Sequence, residues 1–122
     1  MLRRRRAQPP PPTDWPLTQS PHVLWGEGWK ALGAAMEDFL VAAEGKATHN
    51  FKEQATLLAT ACVNFGLLAE YGKRPDLTGP LAQAANEMSM GLVEADGDRL
   101  HRGFEGAAAL ARKIEQEGFQ GF

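Results

Sequence analysis

The chain has a single cysteine, Cys62, in 122 residues. No intramolecular disulfide can form and no cysteine zinc site can be assembled, which points to a reducing compartment such as the cytoplasm. No stretch of about 18 uncharged apolar residues exists, so no transmembrane helix is expected. A secretory leader needs about seven or more apolar residues behind its basic run; here prolines stand there instead. Alternating strand patterns and internal repeats are missing. The glycines spell neither GxxxxGK[ST] nor a GxGxxG behind a strand, so no phosphate loop is expected.

Histidines are also few. His22, His49 and His101 never pair at helical spacing, and His101 has only Asp98 and Glu105 on its helical face. Convergent metal ligands are therefore not expected. Glu94, Asp96 and Asp98 superficially resemble a calcium loop, but Gly97 follows directly on Asp96, too early for the glycine that such a loop needs at its sixth position. No Glu-x-x-His is present for a metal site inside a helical bundle. Cys62 lies on an apolar stripe, where burial raises a thiol pKa, and reads as structural. These absences argue for a protein that is not an enzyme and uses neither metal nor cofactor.

What is present is charge asymmetry and helical periodicity. Net charge is −2, but Arg3, Arg4, Arg5 and Arg6 hide an acidic body. Without them nine basic side chains face fifteen acidic ones, a net of −6. A body of that sign is a poor partner for phosphate backbones, so no nucleic acid is expected. Pro9 to Pro12, Pro16 and Pro21 make residues 1–22 an extended, flexible arm by composition. Trp15 sits within it as a candidate contact. The helical domain is expected over 23–118.

Three helices are legible, giving an all-α helical hairpin or three-helix bundle with coiled-coil-like packing. The first covers about 23–44, with apolar spacings of 4, 3, 4, 3, 4 through Trp25, Trp29, Leu32, Met36, Phe39 and Ala43. Gly26, Gly28 and Gly33 are expected to delay its start toward Trp29. The second opens at Asn50 with Glu53 three residues on, a capping box. Its seam is Phe51, Ala55, Leu58, Cys62, Phe65 and Ala69. Leu57, Ala61, Leu68 and Tyr71 widen that stripe until it calls for two neighbours, and Gly72 closes the helix.

The third begins near Asp76 or Thr78 and tolerates Pro80 in its first turn. Its seam runs Leu81, Ala85, Met88, Leu92, Ala95, then resumes one residue late at Leu100, Phe104, Ala107, Ala111 and Ile114. Either the helix breaks at Gly97, with Asp98 capping a fourth helix, or one helix continues with altered winding. The expectation favours continuity, with a length of about 58 Å at roughly 1.5 Å per residue.

From Leu58 to Leu92 the chain reads LATACVNFGLLAEYGKRPDLTGPLAQAANEMSMGL. An apolar helix ends in F-G-L-L-A-E-Y-G, and a second opens L-x-x-x-L-A-x-A-A-x-x-M. This layout, with Phe39-Leu40 before it, resembles the BAR domain of the sorting-nexin type. The resemblance implies a three-helix coiled coil that dimerises antiparallel and binds curved membrane. Arg99, Arg102, Arg112 and Lys113 are the cluster that would touch an anionic membrane surface.

The reading is a non-enzymatic helical self-association or scaffold module, BAR-like and peripheral to membranes. The alternative is a small secreted or effector-type helix protein that works only with another protein. The expected partner is a second copy or another helical protein. Leu58, Phe65, Leu81, Met88 and Leu92 are expected to carry either the association or the core.

Overall fold

The structure is a computed structural model, and it describes residues 17–42, 45, 50–72 and 74–118. Four helices follow one another: α1 (Pro21–Ala42), α2 (Phe51–Tyr71), α3 (Pro75–Val93) and α4 (Gly97–Glu117). The protein is all-α, and no strand occurs among the described residues. α1 packs on α2, α2 on α3 and α3 on α4. Each neighbour runs antiparallel to the last, as short connections dictate. α1 and α4 do not pack closely along their length; Phe39 meets Phe104 between them, ring centroids 4.9 Å apart.

α1 starts earlier than the glycines suggested. The Val23 N–H donates to the Ser20 hydroxyl at 3.2 Å, and the Leu24 N–H donates to the Ser20 carbonyl at 3.1 Å. Ser20 is thus a cap, and Pro21 fills the first helical position, where its missing N–H removes nothing. Of the expected arm, residues 1–16, Trp15 included, lie outside the described residues. Its last two residues belong to α1.

α2 has the expected capping box. The Glu53 N–H donates to the Asn50 side chain and the Asn50 N–H to the Glu53 carboxylate, both at 2.9 Å. Gly72 ends the helix with its N–H on the Leu68 carbonyl at 2.8 Å, in extended rather than left-handed geometry (φ −98°). The buried column is Leu58, Ala61, Phe65 and Leu68. It is narrower than the expected stripe: Phe51 is 57% exposed and Tyr71, at the other end of the helix, is also exposed.

α3 opens at Pro75, behind Arg74 in left-handed geometry (φ 59°). Pro80 consequently lies inside the helix; its ring is on the exposed side. The continuous third helix does not form. α3 stops at Val93, and the Asp96 N–H reaches back to the Gly91 carbonyl at 2.8 Å while the Ala95 N–H reaches Leu92 at 3.3 Å. This is a Schellman closure with Ala95 in the left-handed position (φ 54°). Asp96, not Asp98, then caps α4 by accepting the Arg99 N–H at 3.1 Å. Gly97 is the first residue of α4.

The core forms one cluster from all four helices: Leu24, Ala31, Leu32 and Ala35 meet the α2 column, Leu77, Leu81, Ala84, Ala85 and Met88 of α3, and Ala107 and Ile114 of α4. Along α1 the buried column sits one residue off the expected seam, so Trp25, Trp29 and Met36 are flanking and half-buried. Asp38, a charged residue outside the expected seam, is only 2% exposed.

Candidate functional site

Four of the five side chains expected to carry association or core belong to the core of the single chain. Leu58, Phe65, Leu81 and Met88 are fully buried, and Leu92 is half-buried. Phe65 organises the α1–α2 junction. Its ring lies edge-on to Trp25 (5.8 Å) and to Trp29 (5.5 Å), and the two indoles are edge-on to each other (5.8 Å). Such T-shaped contacts set positive ring edges on negative ring faces. Gly28 leaves room for this ring: a Cβ there would stand 3.0 Å from Phe65 Cζ.

The buried Asp38 carboxylate accepts the Gln54 side-chain amide at 2.6 Å, and the Asn64 amide donates to the Leu24 carbonyl at 3.3 Å. Both bonds tie α1 to α2. Sequence pattern missed them, because only the fold brings residues 16 and 40 positions apart together.

The four α4 cations are not equivalent. Arg99 is held by Glu87 of α3 (3.1 Å) and by Glu94 (3.0 Å). Hydrogen bonding from Arg99 pulls the Glu87 carboxyl below its ordinary range. Arg99 is thus a brace across the α3–α4 turn rather than a surface contact. Arg102, Arg112 and Lys113 are exposed, but Asp98 and Glu105 stand on the same outer side of α4, and His101 pairs with Glu105 at 3.7 Å. α4 carries four acidic and four basic side chains in all.

Cys62 is half-buried, and burial raises its pKa above that of a free thiol. No three His, Cys, Asp or Glu side chains come together to hold a metal ion among the described residues. No described helix is long and apolar enough to cross a membrane.

The surface of α2 is the feature that the core does not explain. From Gln54 to Ala69 the helix has sixteen residues without a charge, although one of its faces is open to solvent. Thr56, Ala59, Thr60 and Val63 lie on that face, Val63 with 58% of its surface exposed. Leu40, Phe51 and Val93 are further exposed apolar side chains. They sit at the C-terminus of α1, the N-terminus of α2 and the C-terminus of α3, which the antiparallel order brings to one end of the bundle.

Comparison with known proteins adds no relative: no family model matches the chain, and neither a curated protein nor a solved structure is similar to it.

Proposed function

We propose that the chain is a non-enzymatic helical module that acts by self-association, as a scaffold or dimerising unit. The observation that carries this reading is the uncharged outer face of α2. A helix on the outside of a bundle ordinarily carries charge on its wet face, as α4 does with eight charged side chains. α2 has three in the same length, Lys52, Glu53 and Glu70, all in its end turns. A face of threonine, alanine and valine sheds water at little desolvation cost, as the centre of an interface requires. The single half-buried cysteine supports work in a reducing compartment such as the cytoplasm.

Light scattering coupled to gel filtration tests the reading directly. A mass that rises from one chain toward two with concentration is the expected result; one chain at every concentration overturns it.

The apolar end made by Leu40, Phe51 and Val93 favours a second reading, in which another helical protein docks there. That reading survives a monomeric result. A BAR-like role on curved membrane has less support, since the long helix it leans on is divided at residues 94–96 and the outer cations of α4 are interleaved with carboxylates. Vesicles of anionic lipid test it, with Arg102, Arg112 and Lys113 as the side chains whose removal should release them.

A further inference from the structure

We infer that the outer face of α2 pairs with the same face of a second copy of this chain, antiparallel, about a two-fold axis at the middle of the helix. The inference rests on the self-association reading and gives it a surface and a register. Lys52, Thr56, Ala59, Val63, Gly66 and Glu70 follow one another at spacings of 4, 3, 4, 3 and 4. They therefore form a single stripe along the helix. It lies opposite the buried column; Gly66 is half-buried and the other five residues are exposed.

The stripe is complementary to itself when reversed. About the helix midpoint, Lys52 and Glu70 are equidistant, as are Thr56 and Gly66, and Ala59 and Val63. A two-fold axis there sets Lys52 of each copy against Glu70 of the other, so the ion pair forms twice. A parallel pairing would instead put lysine on lysine and glutamate on glutamate. Charge thus selects the antiparallel arrangement. Lys52 has no ion-pair partner among the described residues. Glu70 beside Tyr71 pushes the phenol pKa up through hydrogen bonding and charge, and a carboxylate has lone pairs to spare for an ammonium.

Two details of the stripe suit a partner rather than water. A Cβ added at Gly66 would meet nothing within 4 Å in its own chain, so the monomer's packing does not require glycine there. Mid-helix glycine costs about 1 kcal/mol relative to alanine. A second helix crossing at Thr56 of the other copy gives that small residue a use, because it lets the backbones approach. The Thr56 hydroxyl donates to the Lys52 carbonyl at 2.9 Å, so its polar group is satisfied without solvent. One helix pair is a small interface, and the expected dissociation constant is on the order of micromolar or weaker.

Sedimentation equilibrium of the full chain, from micromolar to near-millimolar concentration, tests the pairing. Lys52→Glu and Glu70→Lys should each weaken the dimer about tenfold or more, since each substitution acts twice per dimer. Val63→Asp should do the same. The double variant K52E/E70K restores opposite charges in the antiparallel register, and should return the dissociation constant to within about threefold of the starting protein. All three positions are exposed, so the helical circular dichroism should be unchanged. A chain that stays monomeric overturns both the self-association reading and this face. A dimer indifferent to these substitutions, or one that the double variant fails to restore, overturns the face and leaves self-association standing.

Discussion

The two ends of the chain solve helix packing in opposite ways. At the α1–α2 junction the space between helices is filled by rings: Trp25, Trp29 and Phe65 lie mutually edge-on. At the α3–α4 junction it is nearly abolished. A Cβ at Gly103 would stand 2.7 Å from the Met88 nitrogen and 2.9 Å from the Ala84 oxygen, and one at Gly91 would stand 2.5 Å from the Leu100 nitrogen. One junction depends on volume that fits, the other on volume that is missing. Side chains can turn to accommodate a neighbour, whereas hydrogen-bonded backbone cannot, so the two should respond differently to the same insult.

The largest effect should come from emptying the first junction. Phe65→Ala removes a fully buried ring and leaves both indoles without their shared neighbour. A loss of about 4 kcal/mol is expected, measured by urea unfolding. Tryptophan emission should shift to the red as Trp25 and Trp29 gain water. Next comes the second junction. Gly103→Ala adds one methyl group against backbone, and about 3 kcal/mol should be lost, at the upper end for overpacking. The sharper version makes the identical change at Gly28, where the neighbour is the Phe65 ring. The ring can give a few tenths of an ångström, and alanine is also the better helix former. The loss there should be no more than about 1 kcal/mol. Equal losses at positions 28 and 103 would dissolve the distinction between the junctions.

These junctions also separate what sequence reveals from what it hides. The capping box at Asn50 and Glu53 is local chemistry, and it was readable because both partners lie within one turn. The all-α class followed from periodicity in the same way. The division between α3 and α4 was harder. Its one trace in the sequence is the seam slipping by a residue between Ala95 and Leu100, and the sequence there favours a continuous helix over a break at Gly97. The left-handed residue is instead Ala95, an alanine held there because α4 must fold back onto Gly91. Tertiary packing overrode a local preference that sequence alone could weigh. Likewise Gly28 looked like a weak point in a helix, and proved to be a seat for Phe65. The outer stripe of α2 was hidden by its neighbour: the two seams differ by one residue, and only burial shows which one faces in.

A smaller effect of opposite sign follows at that turn. Ala95→Gly keeps the Schellman bonds and relieves the side-chain clash of left-handed geometry. It should stabilise the protein by about 1 kcal/mol, less the extra entropy of an unfolded glycine. A higher midpoint in urea with an unchanged slope is the expected signature.

The smallest effect is electrostatic and belongs to the α3–α4 side. The cross-helix ion pairs described run there: Arg99 to Glu87, and Arg74 to Glu117. Hydrogen bonding from Arg99 lowers the Glu87 carboxyl, and hydrogen bonding from Arg74 lowers that of Asp76. A carboxyl whose pKa is lower folded than unfolded binds its proton more readily in the unfolded chain. Its contribution is therefore present above the ordinary carboxyl range and lost as pH falls through the lowered folded value. The arginines stay charged throughout. The melting temperature should be flat with respect to these pairs above about pH 5 and decline below about pH 4. These groups lie at the surface, Arg99 and Glu87 partly covered, so salt should weaken the same contribution. Glu87→Gln should flatten part of the acid decline while leaving the neutral-pH tryptophan emission of the α1–α2 junction unchanged. An acid decline of the same steepness in that variant would show that these pairs do not distinguish the α3–α4 side, and would return the comparison to packing alone.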